Sequence, residues 1–407
     1  MKARRLLACG ATAAVALAAT AATISPVAAR GGTPRAATTT YIVTLDPTSA
    51  DVATTAQDQL AELNPGAQPL RVFESAIDGY TARLTPGEAA ELAAEPTVAA
   101  VEPDGVMTIA GTPPQAWTGD RLRTTSISGT RQYSAPWGLD RIDQRSRPLS
   151  GTYTYARTGL GVAAYIIDTG IRTSHNDFTG RARSGYDAID GGTANDCNGH
   201  GTHVASTVGG ARYGVAKRVT LIGVRVLSCS GSGSTSGVIA GMDWVVAHHQ
   251  AGKPAVVNMS LGGSTSTALD SAVARLTADG VTVVVAAGNS STSASNNSPA
   301  RAPSAITVAA SDRNDAFASF SNYGSAVDII APGVSIPGAY YTSNSATATM
   351  SGTSMASPHA AGAVAKLLQA SPWATPATIT SQLTTAASSG RISGTRTSPN
   401  ELVYSNS

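Results

Sequence analysis

Six runs between Gly161 and Gly333 are apolar almost without interruption: GVAAYIID, LIGVRVL, AVVNMSL, VTVVVAAGN, AITVAAS and AVDIIAPG. A strand that faces water on one side alternates apolar with polar residues. Runs that do not alternate suit strands buried on both faces, as in a parallel sheet covered on each side. Helix-like stretches, SGVIAGMDWVVAHHQ and STALDSAVARLTADG, fall between them. Strand and helix in turn predict an α/β fold with a mostly parallel central sheet between two helical layers. Sites in such sheets form outside the carboxyl ends of strands. Asp168 stands at such an end.

The larger unit is expected over 134–407. Ahead of it, 40–109 reads as a small α+β unit. YIVTL and GYTARL alternate like strands, ADVATTAQDQLAELN and TPGEAAELAAE read as helices, and VAAVEPDGVMTI closes with strand character. Residues 110–133 shift to Thr, Ser, Gly, Pro and Arg and read as a linker open to proteolysis. Residues 1–29 read as an export signal: Lys2, Arg4 and Arg5, an Ala-rich apolar segment, then Val27 and Ala29 before a cut. Beyond that signal two cysteines remain, Cys197 and Cys229. A disulfide is favoured in an exported chain, with two free thiols as the alternative. Charged residues are 13 % of the chain, the net charge is +2 and no basic run stands out, which argues against a nucleic-acid partner.

The turn Asp168-Thr169-Gly170 admits three readings. The aspartate caps the next element, belongs to a water-activating carboxylate pair, or steadies a histidine beside a nucleophilic serine. NGHGTHVAS sets His200 and His203 three residues apart at a helix start. A zinc hydrolase needs i, i+4 with an intervening glutamate, and there is none here. His203 is expected to be packed and hydrogen-bonded. GTSMASPHAAGAVAKLLQAS places Ser354 at a helix N-terminus, where unpaired N–H groups and the positive dipole end favour negative charge. A serine there is an N-cap, or a nucleophile whose own N–H binds an oxyanion. VVVAAGN ends at Asn289, either a turn former or a second donor to that oxyanion.

Together IIDTG, NGHGTHVAS, AAGN and GTSMASPHAAG resemble the subtilisin-like serine peptidases, in that family's order Asp, His, Ser. PWGLDRIDQR, YGVAK, GSGSTSGVIAGMDWV and SFSNYG resemble the proteinase K branch, closest to the aqualysin-like secreted enzymes. The leading unit resembles the inhibitor prodomain that these enzymes carry. The resemblance implies a subtilisin-like three-layer α/β fold preceded by a ferredoxin-like prodomain. It also implies a secreted serine endopeptidase made as a self-processing zymogen, with Asp168, His200 and Ser354 as the triad and Asn289 as oxyanion donor. An aspartic peptidase needs a second carboxylate motif, and this chain has one Asp-Thr-Gly.

The same resemblance implies that Gly231, Ser232 and Gly233 with Ser260, Leu261 and Gly262 clamp an extended peptide by strand addition. Ala286, Ala287 and Gly288 would line a roomy, apolar pocket for the residue before the cut, favouring apolar or aromatic side chains. Structural Ca²⁺ is expected at Asp140, Asp143 and Gln144, on one face of a helical turn, with the Ser150 carbonyl. A second calcium site is implied at Asp328 with the carbonyls of Pro303 and Ala305. Cys197–Cys229 matches one of the two disulfides of the aqualysin-like enzymes; the other pair stands here as Ser295 and Ala326. The expected partners are protein and peptide substrates and the chain's own prodomain, acting as folding chaperone and as inhibitor with its C-terminal end in the cleft. A monomer is expected, without membrane attachment or a further binding domain.

Overall fold

The computed structural model describes residues 37–47, 51–111 and 130–405, with the backbone alone of 115–116 and 127–128. The export signal expected over 1–29 and most of the linker lie outside the described residues. In the leading unit the alternating runs form β1 (Thr39–Leu45), β2 (Arg71–Phe73), β3 (Gly79–Leu84) and β4 (Val98–Pro103). Helices α1 (Val52–Leu63) and α2 (Pro86–Leu92) separate them. Asp51 accepts from the Thr54 N–H to start α1, and Thr85 with Glu88 forms a capping box on α2. The sheet order β2-β3-β1-β4 is ferredoxin-like, with β1 antiparallel to both neighbours. Val43, Leu45, Leu60, Tyr80 and Leu92 fill its core.

The run VAAVEPDGVMTI does not continue as one strand. It breaks at Asp104-Gly105, and its second half, β5 (Val106–Ile109), leaves this sheet for the larger unit.

In the larger unit the apolar runs form β6 (Ala163–Asp168), β8 (Thr220–Arg225), β10 (Ala255–Met259), β12 (Thr282–Ala286), β13 (Ile306–Ser311) and β14 (Ile329–Pro332). With β7 (Ala182–Asp187) at one edge and 401–402 and 388–389 at the other, the described residues form a nine-stranded sheet. All its pairings are parallel except the last. Successive side chains on a strand point to opposite faces, so each strand feeds two cores. Ala164 and Ile166 pack on one side with α3 (His200–Gly209) and α6 (Thr353–Ala370). Tyr165 and Ile167 pack on the other with α4 (Thr235–His248) and α5 (Thr267–Ala278). Burial on both sides is why the runs lack alternation. Arg131–Tyr133 pairs antiparallel with Thr152–Thr154.

Candidate active site

Asp168 ends β6 and is fully buried, as is His200 at the first residue of α3. His200 Nδ1 lies 2.8 and 3.0 Å from the two Asp168 carboxylate oxygens. The Thr169 N–H donates to Asp168 Oδ1 at 2.7 Å, which fixes the carboxylate plane. Nδ1 is thereby the protonated ring nitrogen, and Nε2 is left to accept a proton. Among the described residues, His200 Nε2 meets no hydrogen-bond partner. His203, one helical turn on, meets the Ile336 carbonyl at 3.0 Å, and burial pushes it down to about 3, so it stays neutral. Among the described residues no group of three or more His, Cys, Asp or Glu is placed to hold a metal.

Ser354 is the second residue of α6, so its N–H has no partner within the helix. That N–H donates at 3.1 Å to the carbonyl of Ala110, the residue just after β5. The Ser354 hydroxyl donates at 3.0 Å to Ser260 O rather than to His200 Nε2. The motif Ser-Pro-His supplies a second link to the same residue. Pro358 lacks the N–H that would reach Ser354 O inside the helix. The Ser260 hydroxyl donates to that carbonyl instead, at 3.0 Å. Asn258 in turn donates to Ser260 Oγ and accepts from Ser357 Oγ, so β10 and α6 are laced together beneath the serine. Asn289 Oδ1 accepts from the Thr353 N–H and hydroxyl, both at 2.9 Å, which turns its amide nitrogen towards Gly352. A Cβ on Gly352 would come within 2.6 Å of Ala110 O, so only glycine lets the Ala110 carbonyl in.

The expected clamp holds the chain's own segment. β5 runs antiparallel between β9 (Ser232–Ser234) and β11 (Leu261–Gly263). Thr108 lies opposite Ser232 on one side and Gly262 on the other. The Ile109 N–H reaches Gly231 O at 3.0 Å, and the Ala110 N–H reaches Ser260 O at 3.1 Å. A Cβ built on Gly111 would lie 3.3 Å from His200 Nε2 and 3.7 Å from Ser354 Oγ, so Gly111 lies against both the base and the hydroxyl. The Cys197–Cys229 disulfide (Cα–Cα 4.9 Å) joins the turn before α3 to the turn before β9.

Beside Ala110 opens a cavity of about 250 Å³ lined by Ala286, Ala287 and Gly288, with Gly262 and Gly263 opposite. It is not wholly apolar as expected: Asn297 and Asn322 also line it. Neither residue sits in a segment read as part of this pocket, and no local pattern marks them.

The acidic residues expected to hold calcium accept hydrogen bonds from neighbouring segments. The helix Trp137–Ile142 ends just before Asp143, which is its C-cap, and Gln144 follows it. Asp140 accepts from the N–H groups of Ser150 and Gly151 and from the Ser150 hydroxyl. Asp143 accepts from the Thr154 N–H, and burial pushes it up to about 6. Gln144 donates to Ser146 O and Pro148 O. Asp328 accepts from the Thr307 N–H at 2.8 Å, and burial raises its pKa; Ala305 is buried just ahead of β13, two residues after Pro303.

Residues 159–403 match the subtilase family model, and residues 40–110 match that of the peptidase inhibitor I9. An extracellular serine proteinase of Thermus sp. (strain Rt41A) is 52 % identical over 341 residues, 83 % of this chain and 78 % of that protein. Proteinase T of Parengyodontium album is 51 % identical over 241 residues, 58 % of this chain and 81 % of that protein. The crystal structure of a cold adapted subtilisin-like serine proteinase superposes with a TM-score of 0.66 at 53 % identity. That match covers 67 % of this chain and 99 % of the other.

Proposed function

The chain belongs to the subtilase family of peptide hydrolases and carries an I9 inhibitor prodomain, and on that premise we propose that it is a secreted endopeptidase made as a self-processing zymogen. In this reading Ser354 Oγ turns from Ser260 O towards His200 Nε2 and attacks the substrate carbonyl, with His200 taking its proton. Asp168 holds the imidazole in the required tautomer and stabilises the imidazolium. The Ser354 N–H and the Asn289 amide receive the oxyanion. His200 then protonates the leaving amine, and water resolves the acyl-enzyme.

The observation that carries this reading is the threading of β5. It lies between β9 and β11 as a substrate would, with the Ala110 carbonyl on the Ser354 N–H. The bond that the enzyme first cuts in its own chain is then Ala110–Gly111. Residues up to Ala110 remain in the cleft as a product-like inhibitor, and residues 112–133 carry no cut in this first step. Export follows from the signal read over 1–29 and agrees with the extracellular proteinase of Thermus named above.

Calcium fits as a structural partner. Around Asp140, Asp143, Gln144 and Ser150 the donors are oxygens, with two carboxylates close enough for one to raise the other. A set of hard oxygens with few carboxylates is what Ca²⁺ takes. Asp328 with the Pro303 and Ala305 carbonyls would make a second such set. A bound cation there would offset the desolvation cost that raises Asp143 and Asp328, and it would take no part in the chemistry.

A sulfonyl fluoride reagent tests the catalytic reading. Labelling of Ser354 with parallel loss of casein hydrolysis is expected; casein hydrolysis retained by Ser354→Ala would overturn it.

A further inference from the structure

The cavity beside Ala110 holds far more space than the Ala110 methyl fills. Two side-chain amides bridge its walls. Asn297 donates to Gly263 O at 3.1 Å. Asn322 donates to Asn297 Oδ1 at 3.2 Å and to Ala287 O at 2.9 Å. The two amides therefore form a continuous link from Gly263 to Ala287 across the pocket. Asn322 is fully committed: both of its N–H bonds are used, and its Oδ1 accepts from the Ser290 and Thr292 N–H groups. Asn297 is not. A primary amide offers two N–H bonds and two lone pairs, and the bonds to Gly263 and Asn322 use one of each. No charged side chain lines the cavity among the described residues.

We propose that Asn297 is a specificity-determining residue that hydrogen-bonds the tip of the side chain preceding the cut. The pocket then selects long, uncharged side chains with a polar end, tyrosine over phenylalanine and glutamine over methionine. The reason is desolvation. A hydroxyl or amide entering a pocket without a partner loses its water for nothing, whereas one that meets a spare donor and acceptor keeps its hydrogen bond. A charged end finds no counter-charge and stays excluded. The proposal rests on the peptidase reading and adds to it the class of residue cut.

The test is a set of peptides identical except at the residue before the cut, hydrolysed by the self-processed enzyme. One neutral hydrogen bond corresponds to a kcat/KM advantage of about 3- to 10-fold, expected for tyrosine over phenylalanine and for glutamine over methionine. In Asn297→Leu and Asn297→Ser both ratios fall to about one, while substrates with charged side chains stay poor. Ratios of one or below in the natural enzyme overturn the proposal, whether or not either variant folds. So do ratios that survive in both variants. Hydrolysis of all four peptides at equal rates leaves the peptidase reading standing and removes only this inference. Hydrolysis of none, with Ser354 unlabelled by the sulfonyl fluoride, removes both.

Discussion

The Ala110 carbonyl accepts a hydrogen bond from the Ser354 backbone N–H at 3.1 Å. A carbonyl at a helix N-terminus beside a nucleophilic hydroxyl is polarised for attack. The first cut is therefore expected between Ala110 and Gly111. Mass spectrometry of newly made protein should find a fragment ending at Ala110, and Ser354→Ala should accumulate the uncut chain. A first fragment ending elsewhere would refute the assignment.

Two acidic residues dock the prodomain on two helix starts. Glu102 accepts from the Thr267 N–H at 3.0 Å and from the Ser266 hydroxyl at the start of α5. Asp104 accepts from the Ser236 N–H and hydroxyl, at 2.9 and 2.6 Å, at the start of α4. Carboxylates are stabilised there by unpaired N–H groups and the helix dipole. Glu102→Gln with Asp104→Asn should weaken inhibition by the isolated 40–110 segment by at least about tenfold, since hydrogen bonds to charged groups contribute about 1.5–3 kcal/mol each. The inhibition constant measures this, and an unchanged value would contradict it.

Asp168→Asn should lower kcat by about 10,000-fold while leaving KM within a few-fold, because the wrong His200 tautomer faces the serine. Asn289→Ala should cost about 100- to 1000-fold in kcat, the range for removing such a donor from a subtilisin. Steady-state kinetics on one peptide separates these from a binding defect, which would raise KM instead.

Burial pushes Lys217 and Lys366 down to about 7 from the ordinary 10.5. Lys217 donates to Gln132, Ala211 O and Gly214 O; Lys366 donates to Ser405 O and to Tyr153. Between 7 and 10.5 the unfolded chain holds protons that the folded chain has released, so these groups make stability rise with pH through that window. Denaturant unfolding of the Ser354→Ala chain, which cannot digest itself, should show that rise. Lys217→Met and Lys366→Met should each flatten it. A slope unchanged in both variants would count against the burial argument.

Calcium removal should speed thermal inactivation if cations sit at the Asp140–Asp143 and Asp328 sites. Inactivation half-lives with and without a chelator measure this. Asp143→Asn and Asp328→Asn should each lose part of the chelator effect. A half-life indifferent to the chelator would remove calcium from the account.

Much of the candidate site is legible in the sequence. Asp168, His200, Ser354 and Asn289 each sit in a motif whose neighbours mark a strand end or a helix start, so their setting is written locally. The central sheet was legible for the same reason: strands covered on both faces have no polar side, and every run shows it. The Gly231–Gly233 and Ser260–Gly262 edges followed from the family resemblance.

What stayed hidden depends on contacts between distant segments. Local periodicity cannot say that VAAVEPDGVMTI breaks at Asp104-Gly105 and sends its second half into the cleft, because both halves read as strand. Nor can it say that the Ser260 hydroxyl reaches the carbonyl that Pro358 leaves without a partner, or that Asn297 and Asn322 meet across the pocket. The sequence by itself determined the layers, the turns and the reactive groups, since these rest on burial pattern and on residues adjacent in the chain. Tertiary structure alone decided what fills the cleft and what lines the pocket. Those outcomes depend on which distant backbone edges and amides pack together, and no local pattern encodes that choice.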